Sequence, residues 1–113
     1  MRLKVALYVT YCVSLGSAGF AAAPEKSAGP DASAGKKLFV QHCSSCHYAD
    51  RTTTKVGPGL KGLFTRAKLV TGAVVNANNV KQLIENGHDG MPPFKSVLST
   101  AQIDDIIAYL KTL

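Results

Sequence analysis

Cysteine is scarce in this chain of 113 residues, which has three: Cys12, Cys43 and Cys46. Cys12 lies in an apolar N-terminal segment and the other two are close together, so the chain lacks the disulfide framework of a small secreted scaffold. A structural zinc site needs four ligands at compatible spacing, and after Cys46 the chain offers only two histidines. A thioredoxin-like redox disulfide usually lies beside a βαβ pattern, and the sequence around this pair shows none. The two cysteines therefore require another chemistry.

Acidic residues are also few, since 7 Asp and Glu stand against 13 Lys and Arg. Without Arg2 and Lys4 the basic residues number 11, which leaves a net charge of +4. This modest basic bias favours electrostatic steering towards an acidic protein surface. It is too weak and too scattered to indicate nucleic-acid binding, and no aromatic platform accompanies it.

The apolar run at residues 5–20 is 16 residues long, whereas a membrane-spanning helix needs about 20. Two basic residues precede the run and three alanines follow it, which is typical of a secretory signal peptide. We predict a signal peptide over residues 1–21, a flexible leader over residues 22–33 and a single domain over residues 34–113. The predicted location is the periplasm, and an uncleaved membrane anchor is the alternative.

The two remaining cysteines belong to Cys43-Ser44-Ser45-Cys46-His47, which has the Cys-x-x-Cys-His spacing of covalent c-type haem attachment. In that chemistry two thiols add across the two haem vinyl groups, and the adjacent imidazole binds the iron. Positions three and four apart share one face of a helix, so Cys43, Cys46 and His47 can all face one porphyrin. The motif predicts one haem c per chain, with His47 as its proximal iron ligand.

Apolar spacing predicts helices, and no segment alternates apolar and polar residues as a strand would. The first helix is predicted to begin near Asp31 or Ser33, either of which can cap it, and to continue into Cys43. Glycine inside a helix is unfavourable, so Gly35 indicates the close approach of another helix. The last helix follows a capping box at residues 99–102 and carries apolar residues at helical spacing.

A shorter helix is predicted between these two, over Val80–Asn86. Asn78 or Asn79 is its expected cap, and Gly87 is expected to end it. The chain is therefore predicted to be all-α.

The residues from Ala34 to Leu113 resemble a class I cytochrome c of the small bacterial monohaem type. Gly35-x-x-x-Phe39 is similar to the family's N-terminal helix, and Ile106-x-x-Tyr109 is similar to the part of its C-terminal helix that crosses there. The resemblance implies a cytochrome c-like fold. In such a fold three to four short helices wrap around one covalently bound haem, and the N- and C-terminal helices cross.

The segment Val56-Gly57-Pro58-Gly59-Leu60 is similar to the family's Gly-Pro-x-Leu loop. The resemblance implies that the Pro58 carbonyl accepts a hydrogen bond from His47 and that Leu60 lies against the porphyrin. It also places Arg66 near the position of an arginine that neutralises a haem propionate. Taken alone, Gly-Pro-Gly is an ordinary turn and Arg66 a surface arginine.

Met91 is the only methionine after residue 21, and its flanking glycine and prolines resemble the ligand loop of small bacterial cytochromes c. A thioether ligand raises the iron potential, and we predict His47 and Met91 as the two axial ligands. A lone methionine is more often core filler. His88 is the competing ligand, interpreted as a solvated loop histidine, and His42 is expected to point away from the haem plane.

These features predict a one-electron carrier, and not an enzyme, in a periplasmic respiratory or dehydrogenase-linked chain. Its expected partners are redox proteins with acidic docking surfaces, and Lys55, Lys61 and Lys95 are candidates to surround the exposed haem edge. We expect neither nucleic-acid binding nor stable membrane insertion after signal cleavage. The alternatives are a tightly bound cytochrome subunit of an oxidoreductase complex and a haem enzyme or gas sensor with an open sixth position.

Overall fold

Three α-helices and one short 3-10 helix occur in the part of the chain that a computed structural model describes, namely residues 29–113 with Gly16 and Gly19. The elements are α1 (Ala32–His42), the 3-10 helix (Leu63–Thr65), α2 (Ala77–Asn86) and α3 (Thr100–Leu110). Within these residues extended backbone pairs only at two isolated bridges, Lys68–Val74 and His88–Met91. The all-α prediction is confirmed, while the predicted signal peptide and most of the predicted leader lie outside the described residues.

Helices α1 and α3 cross at Gly35. The sequence predicted a close approach of another helix there, because glycine is unfavourable inside a helix. A Cβ atom at Gly35 would overlap the backbone carbonyl of Asp105 in α3, so only glycine permits this approach. Asp31 caps α1 by accepting the Ser33 N–H at 2.8 Å, and its own N–H donates to the Asp105 carboxylate at 2.7 Å. The rings of Phe39 and Tyr109 meet edge to face across the same interface, with centroids 5.5 Å apart.

Helix α2 begins earlier than the sequence pattern predicted. Its cap is Asn76, whose side-chain oxygen accepts the Asn79 N–H at 2.8 Å, so the prediction of Asn78 or Asn79 as the cap was wrong. Asn76 has the extended backbone that a cap requires, whereas the other two asparagines are already helical. Gly87 ends the helix with a φ of 72°, a conformation that favours glycine.

The buried apolar side chains form one core that α3 dominates. The capping box is present, with Ser99 and Gln102 each accepting the other's backbone N–H. The buried core residues are Phe39, Leu63, Leu69, Val80, Ile84, Leu98, Ile103, Ile106, Ile107 and Leu110. None of the described helices has both the length and the apolar content needed to cross a membrane.

The substitution Gly35→Ala is expected to lower the free energy of unfolding by about 1–3 kcal/mol, because the added methyl group must displace the α3 backbone. Helix propensity alone would predict the opposite sign, since alanine is favoured over glycine by roughly 1 kcal/mol. Denaturant unfolding of the haem-loaded protein measures the difference. Lys36→Ala, at an exposed position of the same helix, is the control and should change stability by less than about 0.5 kcal/mol. A Gly35→Ala protein as stable as its parent would contradict the close approach.

Candidate functional site

A cavity of about 470 Å³ lies between the three helices and the loops that connect them. Its wall is mainly apolar and includes the buried side chains of Phe39, Leu63 and Ile106. Every site residue predicted from the sequence lies around it: Cys43, Cys46, His47, Pro58, Leu60, Arg66 and Met91. The fold therefore brings together residues spread over about fifty positions of the chain.

The two cysteines sit just beyond the end of α1, where the helical hydrogen bonding tightens into a turn. The N–H groups of Cys46 and His47 donate to the Cys43 carbonyl, at 3.1 and 2.9 Å. Both thiols are free. Before a haem is attached, burial, with the nearby Cys46 thiol adding to it, raises the pKa of the Cys43 thiol to about 11, so this thiol is neutral at pH 7.

The ring of His47 is held by the Pro58 carbonyl, with Nδ1 and the oxygen 2.8 Å apart. A carbonyl oxygen can only accept, so Nδ1 carries the proton and Nε2 keeps the lone pair with which a neutral imidazole binds a metal. Gly57 is packed against the same ring, and a Cβ atom there would overlap it. The Gly57 N–H donates to the Cys46 carbonyl at 2.8 Å, which joins this loop to the cysteine motif.

Leu60 and Arg66 reach the cavity from the loop that follows. The Leu60 N–H donates to the Tyr48 carbonyl at 2.8 Å, which fixes the loop to the residue after His47. Arg66 is half-buried, and its Nη2 donates to the carbonyls of Gly59 and Lys61 at 2.7 and 2.8 Å. Arg66 thus stabilises the loop while placing a cation at the cavity.

Met91 lies after α2, directly following a two-residue turn formed by Asp89 and Gly90. The His88 and Met91 backbones exchange two hydrogen bonds, of 3.1 and 2.9 Å, around Asp89 and Gly90. Both central residues have positive φ, 36° and 87°, as in the type I′ turn that Asp-Gly favours. A Cβ atom at Gly87 would overlap the Met91 carbonyl, so the close packing of this turn depends on that glycine.

His42 also lies on the cavity wall, and its orientation relative to the haem plane stays a prediction. It is the last residue of α1, and its ring meets the Phe94 ring edge to face at 6.2 Å. This aromatic contact joins His42 to the segment that follows Met91. Sequence spacing alone contains no signal for this contact, since 52 positions separate the two rings.

Other wall residues were not predicted as part of the site. Val80, Leu83 and Ile84 contribute the apolar face of α2, and their i, i+3, i+4 spacing is a signal that could have found them. Lys68, Leu69 and Val70 belong to an irregular loop, where no periodicity exists to indicate which side chains turn inward.

The donor set and the wall fit a haem c. Two free thiols three positions apart, an imidazole whose tautomer leaves Nε2 available and a thioether all lie on one cavity. The apolar wall suits the porphyrin ring, and the cationic Arg66 and Lys68 suit its carboxylate substituents.

Comparison with known proteins agrees with this chemistry. A family model described as cytochrome C oxidase, cbb3-type, subunit III, matches residues 30–110. A cytochrome c6 from Nostoc sp. is 32% identical over 76 residues, which span 67% of this chain and 65% of that relative, slightly less than two thirds. A cytochrome c from Euglena viridis is 34% identical over 99 residues, covering 74% of this chain and 97% of the relative.

A solved structure shows the same fold. The crystal structure of cytochrome c6 from the diatom Phaeodactylum tricornutum aligns with a TM-score of 0.60 at 23% identity, over 73% of this chain and 92% of that one. The predicted cytochrome c-like fold, with crossing N- and C-terminal helices, is thereby confirmed.

The substitution Gly57→Ala is expected to displace the His47 ring from the Pro58 carbonyl, because the new methyl group would occupy the space of the ring. We expect the thermal unfolding midpoint of the haem-loaded protein to fall by about 5 °C or more. Val56→Ala removes an exposed side chain from the neighbouring position and is the matched control, with little expected change. Equal midpoints for the two variants would mean that the loop accommodates the methyl group without moving His47.

Proposed function

This chain belongs to the class I c-type cytochromes, and we propose that it carries single electrons in a periplasmic chain with His47 and Met91 as axial haem ligands. Membership in the family shows that the cofactor is a covalently bound haem c at the Cys43–Cys46 motif. The same membership supports the role of an electron carrier rather than that of an enzyme.

The observation that carries the proposal is the convergence of His47 and Met91 on one cavity from two separate segments. When bound, the haem supplies an iron that alternates between the ferric and ferrous states. The chain contributes rigid ligand positions. His47 is oriented by Pro58, and Met91 is fixed by a turn with two backbone hydrogen bonds. Ligands held in this way change their positions little between the two oxidation states, and this favours fast electron transfer.

The charge of the described domain supports a docking surface for acidic partners. Residues 48–70 contain five cationic side chains and one carboxylate, whereas residues 71–113 contain three cations and four carboxylates. The single carboxylate, Asp50, is paired with Arg51 at 2.9 Å, and this hydrogen bond holds the pKa of Asp50 below its ordinary value. We propose that this cationic segment, which includes Lys55 and Lys61 but not Lys95, forms a positive face beside the cavity, where Arg66 and Lys68 line the wall.

Exposed apolar side chains adjoin this positive face. Val56 and Val70 line the cavity, yet they are 74% and 66% exposed. An apolar rim bordered by cations suits transient docking, in which charge steers the encounter and the apolar contact brings the redox centres close. We propose this rim as the port through which electrons enter and leave.

A second candidate is a tightly bound cytochrome subunit of an oxidoreductase complex. The description of the matching family model, which names a subunit of a cbb3-type cytochrome oxidase, favours it. Both candidates use the same haem chemistry and differ in the lifetime of the complex. Co-purification from the native membrane fraction distinguishes a permanent subunit from a free carrier.

The visible spectrum of the haem-loaded protein tests the ligand assignment. We expect a sharp low-spin reduced spectrum, a sulfur-to-iron charge-transfer band in the oxidised state and no reaction with carbon monoxide. Met91→Ala should abolish the sulfur band, because Met91 supplies the sulfur. Leu60→Ala is the control, since Leu60 lines the same cavity without a donor atom, and the band should persist. A parent protein that lacks the band and binds carbon monoxide readily would instead support an enzyme or sensor.

Charge reversal tests the docking face. Lys55→Glu is expected to slow oxidation of the reduced protein by ferricyanide, on the order of threefold at low ionic strength, because the anion is steered to the cationic face. The difference should disappear at high salt. Lys37→Glu makes the same change of net charge at an exposed position of α1 and should have a smaller effect. Equal slowing by both substitutions would show that only net charge matters.

A further inference from the structure

The turn that carries Met91 holds a second side chain that can bind iron. His88 and Met91 are directly opposite each other in the turn and exchange both of their backbone hydrogen bonds. Residues directly opposite in an antiparallel pair project their side chains from the same face, with Cα atoms about 5.5 Å apart. Both side chains lie on the wall of the haem cavity. An imidazole and a thioether therefore approach the cavity from one short segment.

A neighbouring carboxylate holds the His88 imidazole at the edge of the cavity. Its Nε2 lies 3.2 Å from the Asp89 carboxylate, and the two side chains are 38% and 90% exposed. A contact this exposed contributes little stability. His88 is thus kept beside the cavity by a contact that is easily broken.

Among the described residues, the His42 ring, unlike that of His88, is held by packing against another ring. His42 is the third histidine on this wall, with His47 and His88, but its ring is packed against Phe94 at the end of a regular helix. Moving it to the iron would break the aromatic contact and the last turn of α1. His88 needs only a rearrangement within residues 88–91.

We propose that His88 is a reserve axial ligand, which takes the coordination position of Met91 whenever the thioether leaves the iron. The inference rests on the proposed ligation by His47 and Met91. The exchange keeps most of the iron six-coordinate, so small ligands such as carbon monoxide must compete with the imidazole. Replacement of a thioether by a second imidazole also lowers the reduction potential, so the exchange turns the carrier into a weaker oxidant.

The test compares the haem-loaded parent with four haem-loaded variants at pH 7: Met91→Ala, His88→Gln, Met91→Ala with His88→Gln, and Met91→Ala with His42→Gln. Met91→Ala should lose the sulfur band but remain low-spin. The variant that also lacks His88 should become high-spin and bind carbon monoxide about tenfold more tightly, because the bound imidazole otherwise occupies the position for about nine tenths of the time. The variant that lacks His42 should behave as Met91→Ala does.

The outcomes separate the two hypotheses. If Met91→Ala is already high-spin, or if removing His88 changes nothing, the reserve ligand is excluded while the Met91 assignment stands. If the parent protein is low-spin without a sulfur band and His88→Gln alone makes it high-spin, His88 is the ordinary ligand, and the proposed function fails in its choice of Met91.

A further variant covers the case in which the double substitution does not fold. Asp89→Asn keeps a residue that tolerates the positive φ of this position and removes the charge that holds His88. Combined with Met91→Ala, it should weaken carbon monoxide binding further and lower the reduction potential, because the freed imidazole occupies the iron for more of the time. A tighter affinity for carbon monoxide together with a higher potential would overturn the proposal.

Discussion

The close contact of α1 and α3 at Gly35 is the constraint on which the rest of the site depends. Because the Gly35 backbone touches the Asp105 carbonyl, the end of α1 is placed at a defined distance from the face of α3 that carries Ile106 and Leu110. Cys43 and Cys46 follow directly from that end. The Asp105 carboxylate strengthens the arrangement by accepting the backbone N–H of the α1 cap, Asp31. The cavity is the space that remains once this crossing is made.

Hydrogen bonds between the cysteine motif and the loop that follows it hold residues 48–60, which have little regular secondary structure. Pro58 accepts from His47, the Tyr48 carbonyl accepts from Leu60, and the Lys55 ammonium donates to the Ser44 carbonyl at 2.9 Å. Tyr48 also has cations over its ring, Arg51 at 4.6 Å and Lys55 at 5.3 Å from the centroid. The same contacts that orient the His47 imidazole therefore also hold the segment that carries the positive face proposed for partner docking.

The distal side is built differently, from a single turn after α2. Gly87 ends the helix and leaves room for the Met91 carbonyl, and Asp-Gly then adopts the tight turn that places His88 and Met91 together. A well-held His47 and a short, partly exposed turn suit the proposed ligation, in which His47 stays on the iron and the turn supplies the ligand that exchanges. Such a turn can exchange its ligand without disturbing the helices.

Much of the fold and site was accessible from local pattern. Three features follow from local chemical requirements: the Cys-x-x-Cys-His motif, the capping box at Ser99 and the glycine inside a helix at position 35. They can be recognised without knowing which residues pack against them in the fold. The cap of α2 was misplaced because three nearby asparagines are chemically equivalent and only backbone conformation distinguishes Asn76.

The sequence by itself thus determined the cofactor, the helical class and the identity of the candidate ligands. Only the tertiary structure decided that His42 turns towards Phe94, that Lys68, Leu69 and Val70 complete the wall, and that His88 shares a face with Met91. The physical reason is that these relations depend on contacts between distant or irregular segments, where neither spacing nor propensity specifies the direction of a side chain.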